Sequence, residues 1–179
     1  MVAIMREILR KYPKCEFGRE LFPGNPIPIL RVSGGKTTAD VADWGYLTQK
    51  GKRVYNARSE TLLEKPLFGK DFVQNRCVIP VTGFCEWDGD GTGWDFLPQE
   101  EEMLYLAGVC RKKTEGWEAT VVTEHASGCV GEIHHRTPLI LSGENLRQWL
   151  YDETQARQFL EEAKERVLLK RKKMEGETL

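Results

Sequence analysis

The sequence predicts an α+β protein with a largely antiparallel, barrel-like sheet and peripheral helices. Three observations predict it: a short helical pattern opens the chain, many short apolar segments separated by turn residues follow, and helical patterns return only near the end. Strands and helices segregated in this way are typical of α+β folds rather than of alternating α/β folds. The length of 179 residues suits a single domain over 1–179.

The first elements follow from apolar spacing and from prolines. Residues 4–12 carry apolar side chains at helical spacing, and Pro13 ends that pattern. Residues 22–31 alternate prolines with apolar residues and predict an extended segment or an edge strand, because proline has no N–H to donate to a ladder. Residues 42–48 predict a strand that enters a loop.

The middle of the chain is dominated by short strand patterns. A short helix is expected near residues 60–64, and the glycine-rich, acidic residues 88–102 predict an exposed, mobile loop. The strands predicted here cover residues 53–58, 76–82, 83–87, 103–110 and 117–123.

Helical patterns return near the end of the chain. Ser142 is the expected N-cap of a helix over residues 143–150. A last helix is expected to start near Thr154, where apolar residues recur at i, i+3, i+4 and i+7. The polar residues 164–179 predict a frayed tail.

Composition excludes several classes of protein. Apolar residues make up 40% and charged residues 30%, which is ordinary for a soluble protein. No apolar run reaches the roughly 18–20 residues of a membrane span, and no secretory signal is recognisable. The five cysteines form no CxxC pair and no HxxxH spacing occurs, so we expect reduced thiols, a cytoplasmic protein, no metal site and no cofactor.

The net charge of −1 conceals a segregation of charge along the chain. Residues 1–76 carry 14 Lys and Arg against 8 Asp and Glu, whereas residues 77–105 carry 7 acids and no base. A nucleic-acid groove needs local positive potential rather than a basic whole, so this composition is compatible with DNA binding. Solvated charged surfaces explain the same pattern, and both interpretations stay open at this point.

Three polar residues stand at the ends of apolar strand patterns: Asn56, Glu86 and His134. A carboxylate buried there has a raised pKa, which suits general acid–base work, although a solvent-facing glutamate fits the pattern equally well. An imidazole can transfer protons near neutral pH, and an amide can orient a substrate oxygen. The alternatives are a structural histidine and a turn-capping asparagine.

Cationic and aromatic residues accompany these three. Arg58 and Arg136 follow Asn56 and His134 by two residues, a spacing that puts both members of a pair on one strand face, where an arginine can hold a phosphate. Two tryptophans, Trp44 and Trp87, are candidate stacking surfaces for unpaired bases, with ordinary core packing as the alternative.

Taken together, these segments resemble the SOS response-associated peptidase (SRAP) family. Eight pieces stand in the family's order and span about residues 22–150. They are Trp44-Gly45, NARSET at 56–61, KPLF at 65–68, RCVIPVTGFCEW at 76–87, LAGV at 106–109, TVVTEHA at 120–126, IHHRTPLIL at 133–141 and WL at 149–150.

The resemblance implies a monomeric DNA-damage protein, associated with the nucleoid when bound to DNA, that recognises abasic sites in single-stranded DNA and captures them covalently. Members of the family use an N-terminal cysteine, whose amine attacks the sugar aldehyde and whose thiol then closes a thiazolidine ring. The same resemblance implies that Asn56 positions the sugar, Glu86 is the general acid–base and His134 aids ring opening. It places Arg58 and Arg136 on the flanking phosphates and Trp44 near the groove.

The chain departs from the family at its start. The family opens with Met-Cys-Gly-Arg, this chain opens with Met1-Val2-Ala3-Ile4, and Cys-Gly-Arg occurs nowhere in it. We therefore expect the family's first strand to be missing together with the nucleophile, which leaves enzymatic activity undecided. The alternatives are a covalent abasic-site protein whose start lies upstream, a degenerate non-covalent single-strand-binding module, and a thiol peptidase that uses Cys15.

Overall fold

A computed structural model describes residues 2–13, 20–100, 102–162 and 167–174, with only the backbone described for residues 2–5. The candidate nucleophile Cys15 lies outside these ranges. Helix α1 spans Val2–Lys11, close to the predicted bounds. Its Ile8 is fully buried and Lys11 Nζ donates to Thr38 Oγ1 at 2.6 Å, so α1 is held against the sheet.

Short strands make up most of the remaining regular structure. In chain order they are β1 Pro26–Ser33, β2 Lys36–Trp44, β3 Tyr46–Leu47, β4 Arg53–Val54, β5 Asn56–Arg58, β6 Arg76–Val81, β7 Phe84–Trp87, β8 Gly93–Pro98, β9 Leu104–Lys112, β10 Trp117–His125, β11 Arg136–Pro138, β12 Ile140–Leu141 and β13 Leu169–Lys173. The later helices are α2 Gly69–Gln74, α3 Gly128–Gly131, α4 Asn145–Tyr151 and α5 Glu153–Glu161, and a 3-10 turn covers Ser59–Thr61.

The large sheet has the strand order β11-β10-β2-β1-β6-β9-β12, with β5 added beside β10. A further pairing of β9 with β10 closes β10, β2, β1, β6 and β9 into a ring. Most neighbours are antiparallel, and β10 runs parallel to β2 and β5. The predicted α+β class with a largely antiparallel, barrel-like sheet is therefore confirmed.

The proline-rich segment is extended over Pro26–Ser33, as predicted, but the alternative of an edge strand is wrong. Strand β1 pairs with β2 along its whole length and with β6 through Leu30 and Arg31. Both prolines, Pro26 and Pro28, lie in the half of β1 that pairs only with β2. Their missing N–H groups therefore cost no hydrogen bond on the β6 side.

The two faces of the large sheet are covered differently. One face packs under helices α2, α4 and α5 with a core that includes Phe72, Trp149 and Leu160. The other face, here called the inner face, packs against a three-stranded sheet of order β13-β8-β7 through residues such as Ile29 and Phe96. The place where Glu86 of β7 meets the loop before β11 of the large sheet is here called the gap between the sheets.

The small sheet corrects two predictions. Residues 93–98 of the expected exposed loop form β8, and residues 169–173 of the expected frayed tail form β13, which pairs with β8. Apolar side chains explain both strands. Phe96 is fully buried and its ring lies 5.1 Å from that of Phe84, while Leu169 is buried in the same core.

The helix starts near the end of the chain also differ from expectation. Ser142 is not the cap of α4, which begins at Asn145 without a side-chain cap. Asp152 caps α5 instead, and its Oδ1 accepts from Gln155 N at 3.0 Å. Among the described helices, none is long and apolar enough to cross a membrane.

Candidate nucleic-acid interface

Strand β7 directs Glu86 into the gap between the two sheets. Side chains alternate along a strand, so Glu86 faces the same side as Phe84, whose ring stacks on Phe96 in the inner core. The Glu86 side chain is 26% exposed. Burial raises the pKa of this carboxyl above its ordinary value, and the nearby His134 offsets only part of that effect. A carboxyl in this state can hold a proton at a higher pH than a solvated glutamate.

His134 meets Glu86 across the gap. It stands in the loop between α3 and β11, and its Nδ1 lies 3.5 Å from Glu86 Oε2. The same nitrogen lies 3.2 Å from Arg136 N and 3.0 Å from Arg136 O. Because a donor and two acceptors surround Nδ1, this nitrogen keeps a partner whether or not it carries a proton. The structure therefore brings two of the predicted residues into contact.

Asn56 lies on the inner face of the large sheet. In β5, Ala57 is buried in the core under the helices, so Asn56 and Arg58 face the inner side, and both are exposed. Their register partners on β10 are Val121 and Thr123. Asn56 thus shares a face with the Glu86–His134 pair, and it stands on the opposite wall from Glu86.

Trp44 lies beside Asn56. Its indole Nε1 donates to the carbonyl oxygen of Tyr55, the residue before Asn56, at 3.2 Å. Its ring packs edge-on to the Tyr55 ring, with centroids 6.3 Å apart, and against the inner core. Trp44 is therefore partly a core residue, and it fixes the peptide that carries Asn56.

Arg136 is already hydrogen-bonded to other groups of the protein. Its guanidinium forms a two-pronged ion pair with Glu60, at 2.6 Å and 3.0 Å, and donates to Thr123 O at 2.6 Å. Its side chain is only 11% exposed. The predicted phosphate contact therefore meets a competitor, because Glu60 already occupies the guanidinium. Arg58, the other predicted phosphate ligand, is exposed.

Trp87 is separated from Glu86 by strand alternation. It is 41% exposed and faces the outer side of the small sheet together with Cys85. Cys85 Sγ contacts Asp95 Oδ1 at 3.1 Å on that side, and burial raises the pKa of the Cys85 thiol to about 12. This thiol stays protonated near neutral pH and faces away from the gap.

Two residues that contact the predicted site residues were not identified from the sequence. Trp94 is the direct cross-strand partner of Glu86, and its Nε1 donates to Asp88 Oδ2 at 3.0 Å. The turn DGDGTG between β7 and β8 carries a hairpin signal that would have placed it there. Glu60 had no comparable signal, because its partner Arg136 lies 76 positions away.

Ligation of a metal finds no support in the part of the chain that the structure describes. No group of three or more His, Cys, Asp or Glu side chains there is arranged to hold a metal ion. The polar groups predicted for the site that the structure does describe are a carboxyl, an imidazole, an amide and guanidinium groups.

Comparison with protein families gives one match over most of the chain. Residues 9–175 match the sequence model described as SOS response associated peptidase (SRAP). The abasic site processing protein YoqW of Bacillus subtilis (strain 168) is 32% identical over 119 residues, which is 62% of this chain and 53% of that protein. HMCES of Gallus gallus, also named an abasic site processing protein, is 34% identical over 124 residues, 53% of this chain and 37% of that protein. The chain thus spans about half the length of the curated relatives, or less.

Solved structures share the fold. A protein from Bordetella bronchiseptica superposes with a TM-score of 0.75 at 22% identity, covering 93% of this chain and 94% of that one. One from Bacteroides thetaiotaomicron gives a TM-score of 0.70 at 21% identity, covering 89% of this chain and 82% of that chain.

Proposed function

This chain belongs to the SOS response associated peptidase (SRAP) family, and we propose that it binds single-stranded DNA at abasic sites. The observation that carries the proposal is the 3.5 Å contact between Glu86 and His134 in the gap between the sheets. Asn56 and Arg58 stand on the facing wall. The names of the relatives YoqW and HMCES support abasic-site processing as the activity.

The proposed chemistry concerns the open-chain aldehyde of an abasic sugar. When an amine adds to it, the resulting carbinolamine loses water to give an imine, and the departing hydroxyl needs a proton. Glu86 suits this role because burial raises its pKa, so it holds a proton to a higher pH than a solvated glutamate does. In the reverse direction the same carboxylate takes a proton from the attacking water, and His134 exchanges protons with it.

In this proposal, residues of the large sheet orient the substrate. The exposed amide of Asn56 can donate to a sugar oxygen and accept from a hydroxyl. Arg58, two residues on and on the same face, can contact a flanking phosphate. An unpaired strand fits such a site better than a duplex does, because the sugar at the lesion must enter the gap between the sheets.

A non-covalent single-strand-binding module is the second candidate. The specific observation in its favour is the setting of the cysteine thiol nearest in sequence to Glu86. Cys85, although adjacent to Glu86, faces the outer side of the small sheet and stays protonated.

One binding experiment tests the function and separates the two candidates. The full chain is titrated by fluorescence anisotropy into a labelled single strand with one natural abasic site, the same strand undamaged, and the matching duplex. We expect the abasic strand to bind tightest and the duplex weakest, and Asn56→Ala to remove the preference for the lesion, unlike Asn145→Ala in α4. Equal affinity for all three DNAs would refute the function. After heating on a denaturing gel we expect no retained label, because a simple imine hydrolyses. A shifted band that appears only after borohydride reduction would favour imine formation, and no band after reduction would favour the non-covalent module.

A further inference from the structure

We propose that Glu60 is an internal stand-in for a DNA phosphate and withholds Arg136 from the bound strand. This inference rests on the proposed function, since it concerns how the same groove binds DNA. It assigns Glu60 the role of a positioning residue that sets how much of the binding free energy comes from Arg136.

The geometry of the ion pair is that of phosphate recognition. Both Glu60 carboxylate oxygens accept from Arg136, Oε1 from Nη1 at 2.6 Å and Oε2 from Nη2 at 3.0 Å. A guanidinium offers the same planar fork to a phosphate and to a carboxylate. The hydrogen bond from Arg136 holds the pKa of Glu60 below its ordinary value, so the carboxylate remains charged at neutral pH.

Arg136 cannot easily turn to another partner. Its Nη2 also donates to Thr123 O at 2.6 Å, its side chain is 11% exposed, and its Nε is buried without a hydrogen-bond partner. Glu60 is the more exposed member of the pair, at 37%. A phosphate that is to reach the guanidinium must therefore displace the Glu60 carboxylate rather than draw the arginine outward.

A second side chain lies within reach of Glu60. His125 Nε2 lies 3.4 Å from Glu60 Oε1, and the His125 side chain is 73% exposed. His125 and Arg136 are also register partners between β10 and β11, so both stand at one position of the inner face. A displaced Glu60 can thus keep a hydrogen-bonding partner in His125 without crossing the sheet.

The consequence is measurable as salt dependence. Each phosphate neutralised by a cation releases counterions and adds about 0.7 to the slope of log K against log salt for a single strand. While Glu60 occupies Arg136, that arginine neutralises no phosphate, so Arg136 contributes nothing to this slope. Removing the charge of Glu60 should expose the full contribution of the arginine.

The test compares Glu60→Gln with Glu64→Gln in the full chain, using anisotropy with an undamaged labelled single strand at several salt concentrations. Each variant removes one negative charge, and the two positions are four residues apart. Glu64 is exposed. The Gln side chain keeps one acceptor for Arg136, and thermal unfolding of each variant checks that it is folded. We expect Glu60→Gln to steepen the slope by about 0.7 and to raise affinity about fivefold at 0.1 M salt, with Glu64→Gln leaving the slope unchanged.

A double variant tests whether Arg136 is the source of the gain in affinity. In the Glu60→Gln background, adding Arg136→Gln should cancel the gain in affinity and slope. Equal slopes for Glu60→Gln and wild type, or a gain that survives the loss of Arg136, would overturn the inference while leaving DNA binding intact. A wild type that fails to bind beside a Glu60→Gln variant that binds would support the inference but refute the proposed function. Failure of both proteins to bind would refute both.

Discussion

At the scale of single residues, the site depends on a carboxyl group that the fold partly removes from water. Burial raises the pKa of Glu86, and its contact with His134 recovers only part of the lost hydration. Charged groups at such positions cost stability and persist where chemistry needs them. Glu86 should therefore make the folded protein less stable at neutral pH than an uncharged side chain of the same shape.

Glu86→Gln is expected to raise the free energy of unfolding at pH 7. The folded-state pKa of Glu86 is raised above its unfolded value, so its favourable contribution is complete below the unfolded pKa and is lost as pH rises through the folded pKa. The advantage of the variant should shrink as pH falls toward the ordinary glutamate range. Urea unfolding at several pH values measures this, with the exposed Glu115→Gln as control. A variant that is less stable at pH 7, or a difference independent of pH, would refute the account.

Residue type and position made Glu86, His134 and Asn56 candidates beside solvent-facing and structural alternatives, and the family resemblance implied their roles. Side chains alternate along a strand, so the adjacent residues Glu86 and Trp87 face opposite sides of β7. This alternation sets Trp87 apart from Trp44, which lies beside Asn56. The engagement of Arg136 by Glu60 was beyond sequence reasoning, because no local pattern links residues 76 positions apart.

At the scale of elements, helix starts depend on side-chain geometry that composition only suggests. Ser142 and Asp152 are both good capping residue types, yet only Asp152 accepts a backbone N–H at a helix start. Helix α5 begins directly after Asp152, and its buried Ala156 and Leu160 pack in the core under the helices. The cap thus anchors an element that covers one face of the large sheet.

Asp152→Ala is expected to lower the free energy of unfolding by about 1 kcal/mol, because Gln155 N loses its side-chain acceptor. Ser142→Ala serves as the matched control and should change stability by less than about 0.5 kcal/mol. Chemical denaturation of the two variants beside wild type makes the comparison. A larger loss for the serine variant than for the aspartate variant would contradict this assignment of the caps.

Strands β8 and β13 show where pattern reading fails at this scale. Gly93–Pro98 follows a glycine-rich acidic turn. Within it, only Trp94 and Phe96 form the alternating apolar pattern that indicates a strand. Leu169–Lys173 is LKRKK, with one apolar residue and no period of two. It becomes a strand because β8, about 70 residues earlier, offers an unpaired edge and a core position for Leu169. Such long-range pairing overrides local propensity.

At the scale of the whole molecule, the site forms where the two sheets meet. The closed ring of the large sheet brings β5 and β11 to β10, and the small sheet carries Glu86 over the inner face. Asn56, Glu86 and His134 come from three separate segments, so none of their positions relative to one another was readable from spacing. The order of the strand patterns nevertheless predicted the fold class, because short antiparallel strands pair mostly with near neighbours.

The measurement that tests the central claim most directly follows the His134 ring while DNA binds. The chain has three histidines, so its imidazole carbon–proton NMR spectrum is simple, and His134→Gln assigns the signal. We predict that a single strand with a tetrahydrofuran abasic analogue shifts the His134 signal to saturation, and that Glu86→Gln changes the chemical shift of that signal in the free protein because the contact with His134 is altered. A strand that binds, as anisotropy reports, while the His134 signal stays unmoved would contradict the account.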